Sequence, residues 1–289
     1  MKTGLSYLSV CSGIEAASVA WEPLGWRPWA FSEIEPFPSA VLAHHYPRVP
    51  NWGDMTRFKE WPDAAIDLLV GGTPCQDNSI GYAAGAKVPG DGLDGARSGL
   101  AFAFAGIVER YQPSWIVWEN VPNVLGRRHS RGFLRFAAGI TELGYHVAWR
   151  IVDQRWFGPS DQPRPRVFVV GHRDPRCVAA VLLEPESNRR NSSARKEAAP
   201  VLTARGGMAF DDRTPCVLDV RGARIATPTE WERALGFPDD FTRIPYRGKE
   251  AARCPDGPRY KALGNSFAVN CMEWIGRRIE LVDSMTEAA

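Results

Sequence analysis

An α/β fold, with a mostly parallel, doubly wound sheet and a smaller second unit, is the expectation from three features of this chain. Apolar runs of strand length alternate with stretches of helical periodicity as far as residue 171. Glycine, proline or serine breaks the chain just beyond several of those runs. After residue 171 the alternation gives way to polar sequence, and helical periodicity returns only near residue 229. Alternation of this kind calls for parallel strands joined by crossover helices that cover both faces of the sheet.

The elements follow in order. Residues 7–10 read as a strand and 15–21 as a helix that stops near Pro23 and Gly25. A strand at 29–32 leads into a helix at 39–45, whose His44 and His45 read as surface residues. Strands at 67–70 and 115–118 flank an apolar helix at 99–111. A helix at 133–143 precedes strands at 147–152 and 167–171. Residues 184–200, rich in Ser, Asn, Arg and Pro, read as linker or irregular surface. Helices return at 229–235 and 267–281. The pattern divides the chain into a large domain over 1–171, a small one over 172–257 and a C-terminal segment, 258–289, that returns to the first.

With 44% hydrophobic and 24% charged residues, the 289-residue chain has the composition of an ordinary soluble globular protein. No signal peptide, spanning apolar run or lipidation box is recognisable, so a cytoplasmic location is the default expectation. A net charge of +2 points to no partner, although residues 186–205 hold five basic side chains to two acidic. The six cysteines form no C-x-x-C pair, so neither a metal site nor a disulfide framework is expected.

Two strand ends carry chemistry. Gly71-Gly72-Thr73-Pro74 breaks the 67–70 strand and leaves Cys75 ahead of a stretch with six glycines between 81 and 99. A thiol between a rigid strand and a glycine-rich loop suits a nucleophile that is covered when substrate arrives. Glu119 follows the 115–118 strand, and strand carboxyl ends are where open α/β sheets bind ligands. A carboxylic acid beside a thiolate is the pair needed to alkylate C5 of cytosine: thiolate addition at C6 with protonation at N3 gives an enamine able to attack an electrophilic methyl group. Arg164 and Arg166 alternate, so an extended segment presents both on one face. One guanidinium can hold a base carbonyl while the other braces backbone or Glu119. Ser12-Gly13 makes a tight turn before a helix, exposing amide donors. Glu33 and Glu35 end the second strand, where a carboxylate can accept ribose hydroxyls, and Asp54 can accept from an adenine amino group.

These segments together resemble the DNA (cytosine-5) methyltransferases, in a compact form of phage or prophage type. Gly-Gly-Thr-Pro-Cys-Gln at 71–76, Glu-Asn-Val at 119–121 and Gln-Pro-Arg-Pro-Arg at 162–166 match that family's Pro-Cys, Glu-Asn-Val and Gln-x-Arg-x-Arg motifs, in order. Further matches lie at 9–13, 53–56, 234–239 and 263–266, so the likeness runs from about residue 7 to about 280. It implies a Rossmann-like methyltransferase fold, S-adenosyl-L-methionine as cofactor, double-stranded DNA as substrate, a flipped target base, and a restriction-modification or phage setting. No membrane, metal or obligate protein partner is implied. By the resemblance, Cys75 is the nucleophile, Glu119 the N3 acid, and Arg164 and Arg166 complete the catalytic set. Cys11, Ser12, Gly13, Ile14, Glu33, Ile34, Asp54, Met55, Asn265 and Ser266 hold the cofactor. Gln76, Ser79, Asn120 and Gln162 serve the substrate side.

The chain departs from the family in places: Cys11-Ser12-Gly13-Ile14-Glu15 stands where Phe-x-Gly-x-Gly is usual, and Ile34 where an aromatic often follows the ribose acid. Asn78 replaces another frequent aromatic. Target recognition is expected in the small domain, where Arg205, before Gly206-Gly207, reads guanine in the major groove or contacts phosphate. A same-family enzyme acting on RNA and a non-catalytic nucleic-acid-binding relative are the alternatives.

Overall fold

The computed structural model describes residues 4–73, 100–127, 129–158, 160, 162–183, 216–219 and 222–287. Its centre is a six-stranded sheet. The strands are β1 (Ser6–Val10), β2 (Arg27–Ser32), β3 (Leu68–Gly72), β4 (Trp115–Asn120), β5 (His146–Asp153) and β6 (Pro165–His172), in the spatial order β2-β1-β3-β4-β6-β5. β1 pairs in parallel with β2 and β3, and β3 with β4. β6 is inserted antiparallel between β4 and β5. The sheet is therefore mostly parallel, as the alternation predicts.

Both faces are covered because successive strand residues point to opposite sides. On β4, Trp115 and Val117 enter one apolar core while Ile116 and Trp118 enter the other. Leu68 and Val70 against Leu69 repeat the division on β3. The first core takes α1 (Ala16–Trp21) and α2 (Pro36–His45); the second takes α3 (Leu100–Tyr111) and α4 (Ser130–Glu142).

The predicted break after residue 171 is corrected. α5 (Pro175–Leu182) follows β6 at once and buries Cys177, Val178, Val181 and Leu182 in the first core. Asp174 starts it, accepting a hydrogen bond from the Arg176 amide, with Pro175 at the first helical position. A helix of eight residues with that opening reads in sequence as a turn. A separate two-stranded sheet follows, β7 (Cys216–Asp219) with β8 (Gly222–Ile225). Then come α6 (Pro228–Leu235), α7 (Asp256–Asn265) and α8 (Val269–Glu287). Thr227 and Glu230 form a reciprocal capping box at the start of α6, and Trp231 and Leu235 join the first core. No helix among the described residues is long and apolar enough to cross a membrane.

Glu15, at the second glycine of the usual Phe-x-Gly-x-Gly motif, adopts a left-handed conformation (φ 64°) and is buried. Its carboxyl accepts from the Ser9 hydroxyl at 2.8 Å and the Ser18 hydroxyl at 3.1 Å, and Ser18 also bonds the Tyr7 hydroxyl at 2.6 Å. Burial pushes its pKa up from 4.5 to about 7, against the opposing pull of the two serine bonds. A folded-state pKa above the unfolded one means stability present below pH 4.5 and lost as pH rises to about 7. Glu15→Gln should match the parent near pH 4 and exceed its stability at pH 8, measured by denaturant unfolding; equal pH dependence in both would refute the assignment.

Candidate active site

Topology brings the chemistry to one edge. β1 to β4 all end there, and β6, running the other way, begins there. The Gln162–Arg166 segment is thereby delivered to the strand end that carries Glu119.

Arg166 Nε lies 3.0 Å from Glu119 Oε1. Gly72 sits opposite Glu119 in the β3–β4 register, and a side chain at Gly72 would come within 3.1 Å of Glu119 Oε2. One carboxylate oxygen is thus held by Arg166 and the other is left on the β3 side. Burial raises the Glu119 pKa above the usual carboxylate value, while the positive charges of Arg166 and Arg164 pull it down. Such an acid holds a proton more readily than a solvated glutamate.

Arg164 is turned to a different task. Its Nη2 donates to the carbonyls of Gly264 (2.9 Å) and Ser266 (2.7 Å), and its amide donates to Asp153 Oδ1 (2.9 Å). Gln162 is buried beside it. The segment between α7 and α8 is therefore tied to the start of β6.

Cys75, with Gln76 and Ser79, lies outside the described residues, as does Arg205. The chain leading to Cys75 is fixed as far as Thr73. The Thr73 hydroxyl accepts from Trp118 Nε1 at 3.2 Å and from Asn120 Nδ2 at 3.3 Å, and Asn120 Oδ1 accepts from the Val121 amide at 2.9 Å. Asn120, expected on the substrate side, is fully buried and joins the two strand ends instead.

Cys11, Ser12, Gly13, Glu33, Asp54 and Met55, among the cofactor candidates, lie together. Ser12 bonds β2 through its amide to the Ser32 carbonyl (3.2 Å) and through its hydroxyl oxygen, which accepts from the Ser32 amide (3.1 Å). Glu33 accepts from the amides of Gly13 (2.8 Å), Ile34 (2.9 Å) and Glu35 (2.7 Å). Cys11 Sγ lies 3.3 Å from Met55 Sδ. The Cys11 thiol is pushed up to about 12 by burial first and then by the charges of Glu33 and Asp54, which places it close to both acids. Asp54 is exposed and caps the turn Met55–Glu60 through the Thr56 amide. Ile34 is 69% exposed, an unusual state for a large apolar side chain beside a candidate ribose acid. Ile14 is fully buried in the first core, and Asn265 is exposed while Ser266 is buried. Among the described residues, no group of three His, Cys, Asp or Glu can hold a metal ion.

Two residues not singled out in the sequence matter here. Asn51 accepts from the amides of Glu33 (3.0 Å) and Gly53 (3.1 Å) and donates to the Glu33 carbonyl (3.0 Å), joining the β2 end to the Asp54 turn. The Phe267 ring packs on Gly72, where an added Cβ would meet it at 2.5 Å. A loop asparagine two residues ahead of a glycine reads as ordinary turn chemistry, and Phe267 as helix core, so neither carried a separate signal.

The profile of C-5 cytosine-specific DNA methylases matches residues 5–204. The chain belongs to this family. It is 30% identical over 467 aligned residues to a protein of Escherichia phage P1 named DNA N-6-adenine-methyltransferase, covering 95% of this chain and 61% of that protein. The chain thus spans about three fifths of that relative's length. With Type II methyltransferase M2.BsuMI of Bacillus subtilis the identity is 28% over 304 residues, covering 95% of this chain and 75% of the relative. The solved structure of Entamoeba histolytica methyltransferase EhMeth superposes with a TM-score of 0.71 at 14% identity, covering 98% of this chain and 99% of its own. At that identity the likeness speaks for the fold. Membership and fold imply S-adenosyl-L-methionine as the cofactor.

The convergence of Glu33 and Asp54 generates a prediction. Glu33→Ala or Asp54→Ala should weaken S-adenosylmethionine binding about tenfold or more, the order expected from losing a hydrogen bond to a charged group, and leave DNA binding within about twofold. Calorimetry showing unchanged cofactor affinity in both variants would remove these residues from the site.

Proposed function

We propose that this chain transfers a methyl group from S-adenosylmethionine to C5 of a cytosine in double-stranded DNA, with the base flipped out of the stack. The observation that carries the reading is the pair Glu119–Arg166 at a strand end, 3.0 Å apart, next to the anchored chain that leads into Pro74-Cys75.

In this reading the Cys75 thiolate adds to C6 and Glu119 donates a proton to N3, so that the C5–C6 double bond becomes part of an electron-rich enamine. When bound, S-adenosylmethionine supplies an electrophilic methyl group on a sulfonium. After C5 has taken the methyl group, loss of the C5 proton to solvent, return of the N3 proton to Glu119 and departure of the thiolate restore the aromatic ring. Arg166 keeps Glu119 oriented and limits how far burial raises its pKa, and Asn120 with Trp118 fixes Thr73, two residues before Cys75. Glu33 and the amides near Gly13 would hold the ribose and the amino-acid end of the cofactor, with Ile34 covering the adenine and Asp54 accepting from its amino group. A target base must leave the duplex before C6 can be attacked. Recognition is assigned to a small unit within residues 172–257, of which α5 packs on the large domain.

The name of the phage P1 relative supports a second reading, methylation of the N6 amine of adenine. An exocyclic amine attacks a methyl group directly and has no use for a thiol adduct. Cys75 therefore separates the two. Cys75→Ala should abolish methyl transfer while leaving cofactor affinity within about threefold, and duplex DNA containing 5-fluorocytosine should trap a covalent complex with the parent only, because fluorine does not leave as a proton. A complex formed equally well by Cys75→Ala would defeat the assignment. Glu119→Gln keeps the shape but not the proton, and should slow methyl transfer by roughly 10²–10⁴; near-normal single-turnover rates would exclude the acid role.

A further inference from the structure

We infer that Phe267 is a positioning residue for the proposed methyl transfer, a ring wedged between the cofactor segment and the Glu119 oxygen that Arg166 does not hold. The inference rests on the reading of Glu119 as the N3 acid.

Three observations support it. Gly72 has no side chain, and the space a Cβ would fill is taken by Phe267 Cε1 at 2.5 Å and Cζ at 2.8 Å, with Glu119 Oε2 at 3.1 Å from the same point. The ring edge and the free carboxylate oxygen therefore flank one small volume at the end of β3. Phe267 directly follows Ser266, whose carbonyl is clamped by Arg164 at 2.7 Å, so the ring's backbone is fixed from the β6 side. Arg164 and Arg166 also supply the positive charge acting on Glu119, so one short segment governs both the acid and the ring beside it.

The consequence is an acid flanked by an apolar ring. Among the described residues, the charged or titratable groups acting on Glu119 are Arg166 near the start of β6, Arg164 just before it and the Cys271 thiol of α8, while Gly72 on β3 contributes none. Burial pushes the Cys271 thiol up to about 12, so it stays neutral. The aromatic ring is thus an uncharged wall beside Oε2, next to the segment that carries Asn265 and Ser266.

Single-turnover methyl transfer to unmethylated genomic DNA, with the full chain saturated in S-adenosylmethionine and DNA, tests this across pH. Phe267→Ala should slow transfer roughly 10–100-fold, as a small misplacement of reacting groups does, and leave cofactor affinity within about threefold. Water admitted to Oε2 should lower the Glu119 pKa, moving the high-pH limb of the rate down by about one unit. Phe267→Leu should keep the limb in place. Gly72→Ala should reproduce the Phe267→Ala signature by displacing the ring, and the Gly72→Ala/Phe267→Ala double variant should be no slower than Phe267→Ala alone. Multiplicative losses in the double variant, an unmoved limb, or a loss confined to cofactor affinity would each overturn the inference. A parent that makes no 5-methylcytosine would instead defeat the underlying reading.

Discussion

The contact between Arg166 and Glu119 exists because one strand runs against the others. Had β6 been parallel, its first residues would lie at the opposite edge of the sheet, and no guanidinium from the Gln162–Arg166 segment would reach the end of β4. Inserted antiparallel, β6 delivers Arg166 to Glu119 at 3.0 Å and Arg164 to the segment after α7. The pair is largely withdrawn from water, with side chains 21% and 11% exposed, so its parts depend on each other. Breaking a buried pair by removing one partner leaves an uncompensated charge, at a cost of about 3–5 kcal/mol. Burial and the arginines act in opposite directions on Glu119, and burial wins. The result is a carboxyl ready to hold a proton without being removed from its partner.

The remaining site is arranged around that edge. Trp118 and Asn120, neighbours of Glu119 on β4, hold Thr73, two residues before Cys75. Asn51 and Ser12 join the β1, β2 and Asp54 segments, so Glu33 and Asp54, the proposed cofactor acids, are presented by a hydrogen-bonded frame rather than by free loops. Glu15 lies beneath this frame in a left-handed conformation, with its carboxyl buried among hydroxyls. A glycine there would avoid the conformational strain but would remove the acceptor that ties Ser9 to Ser18.

Much of this was legible in the sequence. The central strands β3 and β4 are apolar runs with clear stops, because residues buried on both faces leave little room for polar interruption. Cys75, Glu119 and Arg166 stand out because their residue types at strand ends have few other uses together. What the sequence concealed depended on distant partners. The direction of β6 is not written in its own residues. α5 was hidden by Asp174-Pro175, which opens a helix and a turn equally well. Asn120 looked like a substrate contact, and its burial follows only from the approach of Thr73 across the β3–β4 pair. Phe267 looked like one more apolar helix residue until Gly72 was seen to leave it space.

The identity of the methylated base tests the central claim most directly. Nucleoside mass spectrometry of DNA and tRNA from cells expressing the chain, beside cells expressing Cys75→Ala, reads all the relevant products at once. The account predicts 5-methyl-2′-deoxycytidine in DNA from the parent and none from the variant. N6-methyl-2′-deoxyadenosine in DNA, or 5-methylcytidine gained only in tRNA, would contradict it.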